Sequence, residues 1–179
     1  MIKYFNKSLT DIKIKKNDLF FFFFIVLFKG LKNPNVYIPE LQKEKNLTKF
    51  EANDFYSNKK TSSLDILNDN NFYLINIWAS WCLPCREEHD YLIKLKEQNL
   101  IKLIGINYKD NFKNAKKFLN EMGNPYSKIL KDKNGTVSIQ LGAYGVPETF
   151  IIDKNKKIIK KIIGPIDKKT YNEILLIIK

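Results

Sequence analysis

The sequence Trp-Ala-Ser-Trp-Cys-Leu-Pro-Cys-Arg, residues 78–86, contains both cysteines of this 179-residue chain, Cys82 and Cys85. It follows an apolar run typical of a buried strand, and the residues after it have helical spacing. Two cysteines separated by two residues, at the junction of a strand and a helix, are typical of a redox-active dithiol. The motif therefore predicts thiol/disulfide exchange as the chemistry of this chain.

Other uses of two nearby cysteines fit this sequence less well. A structural zinc site needs four thiolate or imidazole ligands, and the chain has two cysteines and one histidine. Covalent haem attachment needs histidine directly after the second cysteine, where this chain has Arg86. A copper site that includes His89 stays open, but the strand-to-helix setting favours exchange. A purely structural disulfide across so short a loop would stabilise little. We therefore expect no metal and no cofactor.

The composition indicates one domain with a lysine-rich surface, and the length is sufficient for a core without disulfides. The formal net charge is +12, but Arg86 is the only arginine among 31 basic residues. Proteins that bind nucleic acids depend on arginine for bidentate contacts, so we expect no nucleic-acid partner. An attraction to anionic lipid or to an acidic partner stays open.

An apolar run near the N-terminus predicts a membrane anchor. Residues 19–28 are apolar at every position, and several lysines precede them. A charged segment followed by an apolar one is the pattern of an export signal, and a run shorter than the ~20 residues of a membrane span favours a signal peptide. No small-residue cleavage site follows, however, and we therefore expect an uncleaved anchor. The lysines before the run place the N-terminus in the cytoplasm and the domain outside.

We divide the chain into three parts. Residues 1–31 are the cytoplasmic N-terminus with the anchor, residues 32–49 are a polar linker, and residues 50–179 are the folded domain. The domain is expected to open with a short hairpin that starts near Phe50. Ser63 is expected to cap a short helix after this hairpin.

Strand and helix patterns alternate in the rest of the domain. Residues 72–78 and 101–108 are apolar enough for central strands covered on both faces, and helical spacing follows each of them. Residues 149–152 and 157–163 predict an antiparallel hairpin, and an amphipathic helix closes the chain. These patterns predict an α/β domain with a central mixed sheet flanked by helices.

Four blocks of the sequence are similar to those of one known family. They are Trp-Ala-Ser-Trp-Cys-Leu-Pro-Cys-Arg-Glu-Glu-His at 78–89, Gly-Ile-Asn-Tyr-Lys-Asp at 105–110, Gly-Asn-Pro-Tyr at 123–126, and Gly-Ala-Tyr-Gly-Val-Pro-Glu-Thr-Phe-Ile-Ile-Asp at 142–153. Together they resemble the membrane-anchored thioredoxins of cytochrome c maturation, the CcmG/DsbE family. The resemblance covers residues 50–167 and the anchor, and it implies a thioredoxin-like fold.

The resemblance implies an enzyme, a thiol:disulfide interchange protein that acts as a periplasmic reductant. Such proteins keep the haem-binding cysteines of apocytochrome c reduced, directly or through the cytochrome c maturation machinery. A membrane thiol transporter of the DsbD or CcdA type supplies their electrons. The resemblance also implies a single span in the inner membrane with the domain on the periplasmic side. An exported chain whose two cysteines form one reactive pair fits this role.

The position of each residue around the dithiol suggests its role. Cys82 is expected to be the attacking sulfur, because a helix N-terminus favours its thiolate, and Cys85 is expected to resolve the mixed disulfide. Glu88 could accept a proton from Cys85 on the same helix face, or it could be an ordinary acid of the first helical turns. Asn76 replaces the buried aspartate of ordinary thioredoxins, which favours the first role. His89 is expected to be a packing residue.

The block at 142–153 suggests further site residues. Pro147 matches the cis-proline position of the thioredoxin fold, which leaves the Val146 backbone free to pair with an extended substrate. Glu148 could tune the thiols or bind a basic substrate, or it could be an exposed strand residue. Trp81 and Tyr144 could contact the substrate, or they could belong to the core.

Two other functions stay open from the sequence. A general exported thiol-disulfide reductase would apply the same chemistry to more substrates. A non-catalytic module would bind apocytochrome without turnover. Peroxidase activity is disfavoured, because the chain has no third cysteine for a separate peroxidatic centre.

Overall fold

The structure is a computed structural model and describes residues 16–32 and 45–179. In the first range, helix α1 (Lys16–Lys32) contains the phenylalanine run, and its side chains from Phe20 to Phe28 are exposed. None of the helices in the two ranges combines the length and the apolar character that a bilayer crossing requires. Residues 1–15 of the predicted cytoplasmic segment and residues 33–44 of the predicted linker lie outside the described residues.

The second range forms strands and helices around one mixed sheet. In chain order they are β1 (Lys45–Asn46), β2 (Glu51–Asp54), β3 (Lys60–Ser62), α2 (Ser63–Ile66), β4 (Phe72–Trp78), α3 (Leu83–Glu97), β5 (Ile101–Tyr108), α4 (Phe112–Met122), β6 (Lys128–Asp132), α5 (Thr136–Leu141), β7 (Glu148–Ile152), β8 (Lys157–Ile163) and α6 (Lys168–Ile178). The strand order is β1-β8-β7-β4-β5-β6-β2-β3. β4, β5 and β6 are parallel, and the remaining pairs are antiparallel. The predicted α/β domain with a mixed sheet is confirmed.

β4 lies at the centre of the sheet because it is apolar on both faces. Leu74 and Trp78 pack on one face together with residues of α3, α4 and α6. Tyr73, Ile75 and Ile77 pack on the other face with residues of β5, β7 and α5. The successive side chains of a strand alternate between its faces, so one strand contributes to both halves of the core. The dithiol follows directly after this best-buried strand.

The start of the domain differs from expectation in two details. Lys45–Asn46 pairs with β8 and forms one edge of the sheet, so the sheet begins within the predicted linker of residues 32–49. The short helix α2 is capped by Ser62, whose Oγ accepts from the backbone N–H of Leu64 at 3.3 Å, and the prediction of Ser63 as the cap is wrong. Ser63 is buried, and its Oγ instead accepts from the Phe50 N–H at 3.2 Å.

Candidate active site

The two cysteines form a disulfide at the N-terminal end of α3, with their Cα atoms 5.3 Å apart. Cys82 is the N-cap of the helix, and its Sγ lies 3.2 Å from the backbone N of Cys85. Pro84 lies in the first turn, where a backbone N–H would have no partner inside the helix. Both cysteines are buried, with 4% and 2% of their surface exposed, so exposure does not distinguish them. Their positions along the helix distinguish them, because Cys82 lies at the positive end of the helix dipole.

A carboxylate at the end of β5 holds the loop before the dithiol. Asp110 accepts hydrogen bonds from the backbone N–H of Ser80 at 2.6 Å, from the Ser80 hydroxyl at 2.8 Å and from the Asn107 amide at 2.9 Å. The indole N–H of Trp81 donates to the Lys109 carbonyl at 3.3 Å. Asp110 was missed as a site residue, because an aspartate after a strand is also an ordinary turn residue.

Glu88 is buried one helical turn after Cys85. Its Oε1 accepts from the Asn76 side-chain amide at 2.8 Å, and its Oε2 accepts from the Ile166 N–H at 2.9 Å. Burial raises the pKa of Glu88 to about 7, although the hydrogen bonds from Ile166 and Asn76 oppose that rise. Glu88 is buried and lies beyond the first turn of the helix. Both facts argue against the alternative that it is an ordinary acid of the first helical turns. A carboxyl group with this pKa can exchange a proton at neutral pH.

Both the nitrogen and the oxygen of the buried Asn76 side-chain amide form hydrogen bonds in the core. Its Nδ2 donates both to Glu88 and to the Thr149 hydroxyl, 3.0 Å away, and its Oδ1 accepts from the Tyr126 hydroxyl at 2.7 Å. Burial raises the pKa of Tyr126 well above its usual range, so its hydroxyl stays a donor. These bonds fix which end of the amide faces Glu88. The sequence pattern did not reveal this role of Tyr126.

The peptide bond between Val146 and Pro147 is cis, as the resemblance implied. The Pro147 carbonyl accepts from the Gly164 N–H at 3.0 Å, which ties it to the end of β8. β7 starts at the next residue and pairs with β4, where Glu148 lies opposite Ile77. Val146 packs against the apolar cluster that contains both cysteines. The cis-proline and the dithiol are therefore attached to adjacent central strands.

Glu148 is buried, so the alternative of an exposed strand glutamate is wrong. Its Oε1 accepts from the backbone N–H groups of Tyr144 at 2.6 Å and of Gly145 at 2.9 Å. Its Oε2 forms an ion pair with the Lys161 ammonium group at 2.8 Å. The carboxylate thus binds the loop before the cis-proline. Lys161 was missed from the sequence, since the surrounding lysines give it no distinguishing pattern.

Four exposed apolar side chains lie beside these elements. Trp81 and Tyr144 are 59% and 68% exposed, so the alternative that they belong to the core is wrong. Leu83, next to Cys82, and Ile163, opposite Glu148 in the sheet, are also exposed. We call these four residues the apolar rim. An exposed apolar surface beside a buried disulfide suits an extended peptide substrate.

His89 is a buried packing residue, as expected. Its Nε2 lies 2.9 Å from the Gly123 carbonyl, and its ring contacts Phe118 edge to face. Burial lowers the pKa of His89, so the ring is neutral at pH 7. Within residues 16–32 and 45–179, no group of three histidine, cysteine or acidic side chains could hold a metal ion.

Comparisons with known proteins agree with this geometry. The family model named Redoxin matches residues 41–175. The thiol:disulfide interchange protein DsbE of Haemophilus influenzae is 38% identical over 131 residues, which are 73% of this chain and 68% of that protein. DsbE of Pseudomonas fluorescens is 35% identical over 157 residues, 88% of this chain and 86% of that protein. CycY of Rhizobium leguminosarum, another thiol:disulfide interchange protein, is 46% identical over 92 residues, about half of either chain.

Solved structures confirm the thioredoxin-like fold. A thiol:disulfide interchange protein of the thioredoxin family from Chlorobium tepidum superposes with a TM-score of 0.63 at 20% identity, over 76% of this chain and 97% of that one. A secreted thiol-disulfide isomerase from Corynebacterium glutamicum gives 0.64 at 21% identity, over 78% and 92%. With its dithiol on α3 and its cis-proline before β7, the chain belongs to the CcmG/DsbE family of thiol:disulfide oxidoreductases, within the Redoxin proteins.

Proposed function

We propose that this chain is the reductant of a cytochrome c maturation system, anchored in the inner membrane with its domain on the periplasmic side. The observation that carries the proposal is membership of the CcmG/DsbE family, shown by relatives named DsbE over most of the chain. The substrate is a disulfide between the haem-binding cysteines of apocytochrome c, or one within the maturation machinery. Residues 1–31 hold the domain at the membrane.

The reaction transfers two electrons from the dithiol to the substrate. The Cys82 thiolate attacks one sulfur of the substrate disulfide, and the other substrate sulfur leaves as a thiolate that takes up a proton. Cys85 then gives its proton to Glu88 and attacks the Cys82 sulfur, which releases the second substrate thiolate. The protein is left as the Cys82–Cys85 disulfide described above. A membrane thiol transporter of the DsbD or CcdA type reduces it again.

The contacts around the disulfide support a peptide as the substrate. The apolar rim supplies exposed aromatic and aliphatic surface next to Cys82 in sequence and on the elements around the cis-proline. Val146, which is partly buried beside the cysteine cluster, directly precedes Pro147, and in this proposal its backbone pairs with the extended substrate. Burial raises the pKa of Glu88 to about 7, so the protonated and the charged form of this side chain have similar populations near neutral pH.

Complementation tests the proposal in a bacterium that lacks its own DsbE. We expect the full chain to restore c-type cytochromes, and we expect Cys82→Ser and Cys85→Ser to fail. A small thiol in the medium should restore the cytochromes without the chain, because only reducing equivalents are missing. Restoration by Cys82→Ser would instead identify a binding module without turnover. Rescue of unrelated disulfide proteins to the same extent would identify a general exported reductase.

A redox titration of the full chain in detergent provides an independent check. We expect a potential for the Cys82–Cys85 pair near that of thioredoxin, roughly −270 mV. A potential near roughly −120 mV, as in a strong disulfide donor, would contradict a reducing role.

A further inference from the structure

Lys161 on β8 is a nearly enclosed lysine, with 10% of its side chain exposed. Its ammonium group lies 2.8 Å from Glu148 Oε2 and donates to the Gly142 carbonyl at 2.7 Å. It also lies 3.9 Å from the centre of the Tyr144 ring. A buried cation is stable only where such partners replace water, so this site is built around the ammonium group.

The partners within 4 Å of the Lys161 ammonium group belong to one loop or hold it, and the Phe150 ring of β7 lies farther away, at 5.5 Å. Gly142 and Tyr144 lie in the loop of residues 142–146, and Glu148 Oε1 accepts from the N–H groups of Tyr144 and Gly145. Lys161 and Glu148 together therefore form hydrogen bonds with the backbone of this loop at Gly142, Tyr144 and Gly145. Removal of the ammonium group would free the Gly142 carbonyl and leave the Glu148 carboxylate buried without its counter-charge.

The same loop presents two of the expected substrate contacts. It exposes the Tyr144 ring, and it ends at Val146, whose backbone precedes the cis-proline. Lys161 is not adjacent in sequence to either cysteine, and its Nζ atom donates a hydrogen bond to the loop at the Gly142 carbonyl. We propose that Lys161 is a positioning residue, which holds residues 142–146 in the conformation that pairs with a peptide and so governs reduction of peptide disulfides but not of small disulfides. The inference rests on the exchange chemistry of Cys82 and Cys85, not on the cytochrome c role.

The experiment uses the reduced full chain in detergent and two kinds of disulfide. Hydroxyethyl disulfide is small and neutral, and needs no pairing with the loop. The second substrate is a peptide with an internal Cys-x-x-Cys-His disulfide. For Lys161→Met we expect a rate with hydroxyethyl disulfide within about two-fold of the wild type. We expect the rate with the peptide to fall by roughly ten-fold or more, mainly through a higher KM.

Two further variants separate positioning from general effects of charge or stability. Lys161→Arg keeps donors for Gly142 and Glu148 and should recover most of the peptide rate. Lys160→Met is the matched control, because Lys160 lies on the opposite face of the same strand and pairs with Glu173 at 2.6 Å. It should behave like the wild type with both substrates. If Lys161→Met is unfolded, Lys161→Gln, which keeps an N–H donor without the charge, replaces it in both assays.

Amide hydrogen exchange gives a readout that a purely structural role would not produce. In Lys161→Met the amides of Tyr144 and Gly145 should exchange faster, whereas those of Ile75 and Ile77 in β4 should keep their rates. Faster exchange at all four positions, or equal losses of rate with the small disulfide and the peptide, would overturn the proposal. So would an unchanged peptide rate.

A second peptide, with alanine in place of the histidine, keeps the two proposals apart. If the wild type reduces both peptides equally while Lys161→Met slows both, the cytochrome c role loses its support and the role of Lys161 stands. If the wild type prefers the histidine peptide and Lys161→Met reduces both at the wild-type rates, the role of Lys161 fails alone.

Discussion

The side-chain amide of Asn76 donates to Glu88 across 2.8 Å and so connects the central strand to the helix that carries the dithiol. Asn76 lies in the middle of β4, and Glu88 lies one turn after the second cysteine. The bond favours the charged carboxylate, but burial is the larger influence and raises the pKa of Glu88 to about 7. The protonation of this one group therefore affects both the stability and the chemistry of the molecule.

The free energy of unfolding of the oxidised chain should fall as the pH rises from 4.5 to 7 because of Glu88. In this range the unfolded chain releases the proton, since the ordinary pKa is 4.5, whereas the folded chain keeps it until about 7. Glu88 therefore makes its full contribution to the free energy of unfolding below pH 4.5, and this contribution is lost above pH 7. The loss amounts to about 3 kcal/mol, since a tenfold change in proton affinity corresponds to ~1.4 kcal/mol.

Urea unfolding of the wild type and of Glu88→Gln at a series of pH values measures this effect. Burial lowers the pKa of His89, which produces the opposite slope below its ordinary value of 6.5. Both proteins retain His89, so the difference between their curves reports Glu88 alone. Parallel curves for the two proteins would contradict the prediction.

Tyr126→Phe should destabilise the chain by about 1–2 kcal/mol. The change removes the hydroxyl that donates to Asn76 Oδ1 at 2.7 Å and leaves a buried acceptor without a partner. Tyr91→Phe is the matched control, because Tyr91 packs against Tyr171 and its hydroxyl makes no hydrogen bond within the described chain. Urea unfolding at pH 7 should show a clear loss for the first variant and little change for the second.

The two cysteines should differ in their rates of alkylation. In Cys85→Ser the remaining Cys82 should react rapidly with iodoacetamide at neutral pH, because the helix N-terminus stabilises its thiolate. In Cys82→Ser the remaining Cys85 lies inside the helix and should react at least roughly ten-fold more slowly. Mass spectrometry of samples quenched over time gives both rates. Equal rates would leave no reason to assign the attack to Cys82.

Asp110→Ala should destabilise the chain by about 2 kcal/mol, because the loop before the dithiol loses its acceptor. Asp110 binds the N–H and the hydroxyl of Ser80 and the Asn107 amide. Asp90→Ala, which removes an exposed carboxylate from α3, serves as the control. Thermal unfolding of the oxidised proteins should separate the two variants. A similar small effect of both would mean that Asp110 does not hold the loop.

Gly105→Ala should cost about 1–3 kcal/mol through overpacking. A Cβ at this position would lie 2.8 Å from Trp78 Nε1 and 2.9 Å from ring carbons of Tyr126, and the two rings are stacked on each other. At Gly145, by contrast, a Cβ would meet no atom within 4 Å. Urea unfolding should therefore show a loss for Gly105→Ala and almost none for Gly145→Ala.

Much of the fold could be predicted from local sequence patterns. β4 and β5 are covered on both faces, so their apolar residues form continuous runs that no surface strand would have. The dithiol between such a strand and a helix then indicated the thioredoxin-like arrangement. The position of the helix cap could not be predicted in this way, because Ser62 and Ser63 have the same side chain and the contact of Ser63 with Phe50 decides between them.

The environment of the site residues could not be predicted in the same way, because it depends on contacts between distant parts of the chain. A glutamate at the start of a strand is usually exposed, but the carboxylate of Glu148 is buried together with its partners, which are Lys161 on β8 and two backbone N–H groups of the preceding loop. Asp110 reaches Ser80 across 30 positions of sequence. Such pairs arise from tertiary packing, and no periodicity marks them.

The pairing of β4 with β7 has a further consequence for engineering. Because Ile77 lies opposite Glu148, a shift of one residue would turn every side chain of β7 to the other face, so the distance between the reacting sulfurs and the cis-proline is set by the sheet. Residues 142–145 lie outside this strand pair. Loop exchange between family members at these positions should therefore redirect the enzyme to new partners while its electron transfer stays intact.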